Sequence, residues 1–144
     1  LKGNTKMAIK ISNAVRSEMA KQIIAAIDGT GGKKGKIKMY SGTRPTSPET
    51  NATSSEKILS EHELSNPCAT ETNGVITFSA IGECAAALES GTCTWARIFD
   101  GDDKAIADVS VTAVGADGDL QMNTTEIVKG GPIRFTSVVW TLPG

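Results

Sequence analysis

Aromatic residues are scarce in this chain of 144 residues, at 4% of the total, so the core must rest on aliphatic side chains. The sequence also lacks an apolar run near the 20 residues that a membrane helix needs, and it shows no secretory signal. Basic and acidic residues nearly balance, at 15 against 16, which makes nucleic acid a poor candidate partner. These absences predict a soluble protein of one domain without membrane or nucleic-acid partners.

Histidine occurs once, at His62. Ser-His-Asp and Cys-His catalysis both need a positioned base, and we interpret His62 as a solvated or edge-strand residue without a chemical role. The odd number of cysteines argues against a disulfide framework, and their spacing does not fit a zinc site. A bridge between Cys84 and Cys93 stays open as a possibility, with Cys68 left free.

One glycine-rich loop and two Asp-Gly stretches could be taken for ligand sites, but the spacing of their residues does not support that interpretation. The loop 29–35 (GTGGKKG) fails the phosphate-loop pattern, because Thr30 stands where a glycine is required and Ile37 follows the Gly-Lys pair. We expect a flexible connection or a cationic tip that contacts an acidic neighbour. The acidic stretches 100–103 and 117–119 fit hairpin turns in which glycine takes a positive φ. The sequence therefore predicts no catalytic, cofactor or metal site, and no enzyme.

The clearest helix is predicted at 12–28, after an N-terminal arm at 1–11. Val15, Met19, Ile23 and Ile27 recur at every fourth position, as in a helix with one apolar face. Ser12 or Asn13 can cap its start, and Gly29 can end it. Met7 is a plausible native start, so residues 1–6 are given no structural role.

From residue 36 onward the hydrophobic period changes to two. Short strands separated by turns predict one antiparallel β-sandwich at 36–144, jelly-roll or immunoglobulin-like, in one domain with the helix. Segment 41–56 is expected to be a polar loop, and 83–91 a single helical turn or an irregular crossover. The predicted strands are 36–40, 58–64, 75–81, 94–99, 105–114 and 132–142.

Four stretches of the sequence stand out together: MAIKISNAVRSEMAKQIIAAI (7–27), KIKMYSGTRPTSPET (36–50), WARIFD (95–100) and IVKGGPI (127–133). In these stretches the chain resembles small structural proteins of tailed-bacteriophage virions. That group tends to show a Met-Ala-Ile-Arg-like start with an amphipathic helix, an I-Y-S/T-G-x-x-P corner, a Trp-Phe-Arg-like strand before an Asp turn, and I-V-x-G-G-x-V/I near the end. The stretch from Cys84 to Cys93 departs from the Ala/Thr/Gly-rich sequence expected there.

The resemblance implies a virion component whose function lies in its contacts. The first expectation is a head decoration or cement protein that binds the major capsid protein or other virion proteins and self-associates. A neck, collar or tail connector that attaches fibres is the alternative, and a host-surface or carbohydrate-binding sandwich is a further one. The candidate interface residues are Ile9, Ile11, Val15, Met19, Tyr40, Arg44 and Pro45.

Overall fold

The computed structural model describes residues 9–135 and 138–142. These residues form one helix and ten strands. The helix is α1 (Asn13–Asp28), and the strands are β1 (Lys36–Tyr40), β2 (Ile58–Glu63), β3 (Ala69–Thr72), β4 (Val75–Phe78), β5 (Gly91–Thr92), β6 (Trp95–Phe99), β7 (Ala105–Ala113), β8 (Leu120–Met122), β9 (Glu126–Ile127) and β10 (Val139–Thr141).

Helix α1 has the caps that the sequence predicts. The Ser12 hydroxyl accepts a hydrogen bond from the Val15 amide at 3.2 Å, which satisfies one of the free amides of the first turn. Gly29 ends the helix with a φ of 57°, and its amide donates to the Ala25 carbonyl at 2.9 Å. The helix packs on β3, β4 and β7.

The strands form curled sheets that are mainly antiparallel, so the prediction of a mainly β protein with one helix is confirmed. The five-stranded sheet has the order β2-β1-β6-β7-β8, and β8 runs parallel to β7. The sheet is therefore mixed and shaped like half a barrel, not wholly antiparallel as predicted. The other sheets have the orders β10-β4-β3 and β5-β9.

Several strand predictions need correction. The run 75–81 ends as a strand at Phe78, and β3, β5, β8 and β9 are too short to give a recognisable period in the sequence. The run 132–142 is not one strand, because Ile133 makes an isolated bridge with Cys84 while β10 begins only at Val139. Residues 136–137, inside that run, lie outside the described residues. Segment 83–91 contains this bridge and the start of β5 rather than a helical turn.

The turn at 100–103 forms the predicted hairpin between β6 and β7, but 117–119 is a bend that leads into β8, which runs parallel to β7, so the hairpin predicted there is wrong. The glycines are also needed for a reason other than the predicted one. Neither Gly101 nor Gly118 has a positive φ; in turn 100–103 it is Asp103 that does, at 65°. A Cβ at Gly101 would lie 2.4 Å from the Lys33 Cβ, and one at Gly118 would lie 2.5 Å from the Thr112 hydroxyl oxygen. Close approach of neighbouring chain segments therefore excludes a side chain at both positions.

Loop 29–35 contacts the acidic turn 100–103, which confirms one of the two expectations for this loop. The Lys33 ammonium lies 2.6 Å from an Asp102 carboxylate oxygen, and Lys36 lies 3.1 Å from Asp103. These side chains are largely exposed, so solvent screens the ion pairs and they contribute little to stability. The contacts position loop 29–35 against the β6–β7 hairpin.

Candidate functional site

The predicted interface residues fall into two regions of the structure. Ile9, Val15 and Met19 are exposed at the start of α1, whereas Tyr40, Arg44 and Pro45 belong to the region where β1 ends. Ile11 is half-buried beside the first group. Sequence reasoning placed all seven residues in one interface, and the two regions are described separately below.

The apolar stripe of α1 is buried at one end and exposed at the other. Ala20 and Ile27 are 0% and 1% exposed, while Val15 and Met19 are 52% and 39% exposed. Ile9, which precedes the helix, is 70% exposed. The first turns therefore present two apolar side chains, Val15 and Met19, to the surroundings.

Polar contacts hold the first turns of α1 against the sheet β10-β4-β3. Arg16 donates to the Leu142 carbonyl at 2.8 Å, and the Ser17 hydroxyl donates to the Glu71 carboxylate at 2.6 Å. The approach is close at Gly74, where an added Cβ would lie 2.8 Å from the Arg16 Cβ. Because Arg16 and Ser17 make the contacts with the sheet, Val15 and Met19 are left outward.

The second region is the corner, residues 41–50 (SGTRPTSPET), which follows β1. Tyr40 and Trp95 stack beneath it with ring centroids 4.2 Å apart and planes 9° apart, and both rings are buried. The Trp95 indole N–H donates to the Ser41 carbonyl at 3.2 Å, and the Thr94 hydroxyl donates to the Gly42 carbonyl at 2.5 Å. Tyr40, one of the predicted interface residues, is therefore buried beneath the corner and supports it.

A buried ion pair holds the middle of the corner. Arg97 donates to both carboxylate oxygens of Asp108, at 2.6 and 2.9 Å, and to the Ser47 carbonyl at 3.3 Å. The hydrogen bonds to Asp108 raise the pKa of the Arg97 guanidinium. Its Cζ atom lies 5.3 Å from the centre of the Trp95 ring. One side chain therefore links the corner to β7 and to the aromatic stack.

The outer side of the corner is the part that a partner can reach. Arg44 is exposed and Pro45 is half-buried, and both line a shallow cleft with Thr46, Pro48 and Asp108. Gly42 has a φ of 84°, a conformation that favours glycine, and the Ser41 amide donates to the Lys57 carbonyl at 3.0 Å. The corner is a braced structural turn that displays Arg44 and Pro45.

His62 is buried rather than solvated, although its strand β2 does lie at the edge of the sheet. Its Nδ1 lies 2.9 Å from the Gly82 carbonyl oxygen, which can only accept, so Nδ1 carries the proton. Nε2 therefore accepts from the Ser60 hydroxyl, at 3.0 Å. Burial lowers the pKa of His62. This is the hydrogen bonding of a nucleophile and its base, but Ser60 and His62 are 0% and 1% exposed, which leaves no room for a substrate at the hydroxyl.

Sequence reasoning missed the Ser60–His62 pair. The signal available was their spacing, since residues two apart in a strand lie on the same face. Burial could not be read in advance, because Glu61 and Glu63 on either side suggest a solvated strand.

The three cysteines are free thiols, so the bridge between Cys84 and Cys93 is not formed. Cys93 is buried beside β6, whereas Cys84 pairs through its backbone with Ile133. Burial raises the pKa of Cys68 and of Cys93 to about 12, with the nearby Asp28 carboxylate adding to the effect at Cys68. Neither of these two thiols is primed as a nucleophile.

Within residues 9–135 and 138–142, no group of three His, Cys, Asp or Glu side chains is placed to hold a metal ion. The helix in this part of the chain is too short and too polar to cross a membrane. Comparisons with protein-family models, with curated proteins and with solved structures find no match for this chain. The two surface regions are therefore the features from which a function can be argued.

Proposed function

We propose that this protein is a structural component of a tailed-phage virion, a head decoration or cement protein that binds the capsid shell in many copies. The proposal joins the resemblance of the sequence to one structural observation: the exposed apolar side chains of Val15 and Met19, one turn apart on α1, and of Ile9 before the helix. Apolar side chains exposed next to one another favour a partner surface that covers them. No enzymatic activity is part of the proposal.

The braced corner supports the same role. Its anchoring by Arg97 and Trp95 means that little conformational entropy is lost when Arg44 and Pro45 contact a neighbouring subunit. A repeated shell contact benefits from this, because each copy must present the same geometry. Arg44 also offers a fork of donors to a carboxylate on the partner.

The alternative location is the neck or tail, where the protein would connect rings or attach fibres. The same surfaces serve there, and the difference lies in the number of copies. A third candidate, a carbohydrate-binding module, is disfavoured by the aromatic rings. Carbohydrate sites use exposed aromatic faces, whereas Tyr40 and Trp95 are buried against each other.

We also propose that the sheet β10-β4-β3 is the second layer of a sandwich. One continuous core supports this, since it contains Ile76 and Phe78 of β4 together with Ile37 of β1 and Ile98 of β6. A crystal structure in which the two sheets share no facing side chains would contradict it.

Copy number per particle tests the proposed function. Virions of the phage that carries this gene are purified, and the chain is quantified against the major capsid protein by mass spectrometry with labelled peptides. A decoration protein is expected in hundreds of copies, on the order of the capsid protein itself. A count near that of a neck or tail ring would favour the alternative, and absence from washed particles would overturn the virion proposal.

A further inference from the structure

The Tyr40–Trp95 stack lies on the face of the five-stranded sheet that points away from the core. Tyr40 and Trp95 are directly opposite each other in β1 and β6. Their neighbours Met39 and Ala96 point to the other face and belong to the hydrophobic core, whereas Tyr40 and Trp95 do not. Arg97, two residues after Trp95, is on the same outward face. The molecule therefore buries a second group of side chains outside its core.

Burial along this outward face is uneven. Phe99, at the far end of β6, is half-buried, whereas Trp95 and Arg97 are 1% and 3% exposed. The loop between β1 and β2 covers the buried end, because its Ser47 carbonyl accepts a hydrogen bond from Arg97 at 3.3 Å. Other residues of this loop line the shallow cleft at Asp108. Residues 43–56 of the loop are called the lid below.

The lid makes few contacts that keep it closed. It contains no Val, Leu, Ile, Met or aromatic residue, and none of its residues is buried. Within the described residues, the bond from Arg97 to Ser47 is the one hydrogen bond that joins residues 43–56 to the rest of the protein. Its other hydrogen bonds are internal, such as the one from the Thr50 amide to the Ser47 carbonyl at 3.0 Å. Segments with so few buried contacts open at a lower free energy than the whole domain unfolds.

The neck beneath the lid is held by separate contacts. The Ser41 amide donates to the Lys57 carbonyl at 3.0 Å, and the Lys57 amide donates to the Ser41 hydroxyl at 3.2 Å. The Trp95 indole and the Thr94 hydroxyl donate to the carbonyls of Ser41 and Gly42. None of these bonds involves residues 43–56, so β1 and β2 can stay paired when the lid moves. Gly42, with a φ of 84°, supplies a flexible joint at the start of the lid.

We propose that the lid opens as a unit on the neck formed by Ser41, Gly42 and Lys57 while the sheet stays folded, and that its opening uncovers Trp95 and Arg97. The closed state is the braced corner described above. Opening breaks the hydrogen bond from Arg97 to the lid, and Arg97 keeps its partner Asp108 in both states. The lid is thus a movable cover built into the fold. The inference does not depend on the virion proposal, because it concerns the purified chain alone.

Native-state hydrogen exchange followed by NMR tests the opening in the wild-type protein. The Trp95 indole N–H reports on the face beneath the lid, and the backbone amides of β6 report on the sheet. After correction for intrinsic rates, the indole N–H is expected to exchange at least about a hundredfold faster than the slowest β6 amides, with a weaker dependence on urea. Equal protection and equal urea dependence would mean that this face is reached only by global unfolding, which would overturn the inference.

A lidless chain gives the second test. Two glycines replace residues 43–56, which leaves a short hairpin loop above the pair Ser41 and Lys57. Both this chain and its control with the lid intact carry Trp140→Phe, so that Trp95 is the sole tryptophan. The lidless chain is expected to keep the circular dichroism of the control, while acrylamide quenches its Trp95 fluorescence several-fold more strongly. A lidless chain that does not fold, or a Trp95 that stays as protected as in the control, would overturn the inference.

Discussion

The two ends of helix α1 carry the same apolar stripe in different surroundings. Toward the C-terminal end, Ile27 lies in the core, which also takes in Ala20 near the middle of the helix. At the other end, the polar residues Arg16 and Ser17 contact the neighbouring sheet, and Val15 and Met19 are exposed. A regular hydrophobic period therefore identified the apolar face of the helix but not the partner that covers it. One end serves the fold, and we propose that the other end serves assembly.

The contrast is sharpest for a charge introduced at each end. Ile27→Asp places an unpaired carboxylate in the core, and we expect a loss of more than about 4 kcal/mol in the free energy of unfolding, enough to unfold a domain of ordinary stability. Val15→Asp should change that free energy by less than about 0.5 kcal/mol. Thermal and urea unfolding followed by circular dichroism measure both. Equal losses in the two variants would show that the ends of the helix are not different.

The corner provides a second contrast, between a buried and an exposed arginine. Arg97→Ala leaves the buried Asp108 carboxylate without its partner, and we expect a cost of about 3–5 kcal/mol. Arg44→Ala removes an exposed guanidinium from the same corner and should cost less than about 0.5 kcal/mol. Urea unfolding of both proteins gives the comparison. A tolerated Arg97→Ala would mean that the corner is not held by this ion pair.

A smaller effect is expected from pH, through His62. Burial lowers the pKa of His62 in the folded chain, so below its unfolded value, about 6.5, the unfolded state binds a proton that the folded state does not. The contribution of His62 to stability should therefore be fully present above about pH 6.5 and be lost as the pH falls below that value. Because His62 is the sole histidine, His62→Gln should abolish this part of the pH dependence. Urea unfolding of the wild-type protein and of His62→Gln at several pH values between 5 and 8 measures this. An equal loss of stability in the two proteins as the pH falls would contradict the account.

Local patterns predicted the elements that are long or well capped. The helix, the strands β1, β6 and β7, and the hairpin at 100–103 follow from period, caps and turn residues. The short strands β3, β5, β8 and β9 do not, because two to four residues carry no measurable period and their pairing is set by tertiary contacts. The parallel pairing of β8 with β7 likewise depends on distant parts of the chain.

The candidate site was predicted only in part, for a related reason. Exposure of Ile9, Val15 and Met19 depends on how α1 docks, which the contacts of Arg16 with Leu142 and of Ser17 with Glu71 determine. Burial of Tyr40 depends on stacking with Trp95, a residue distant in the sequence. The Ser60–His62 pair has a simple spacing, but its burial follows from the segment that carries Gly82.

Val15→Asp is expected to change stability very little but assembly strongly, and one measurement tests this directly. Val15→Asp protein is purified, shown to be folded, and added to virions that lack the wild-type chain, with Gln22→Asp as a control that puts the same charge at an exposed polar position of α1. The account predicts normal occupancy for Gln22→Asp and at least a tenfold loss of binding for Val15→Asp. A folded Val15→Asp protein that binds particles at normal occupancy would contradict it.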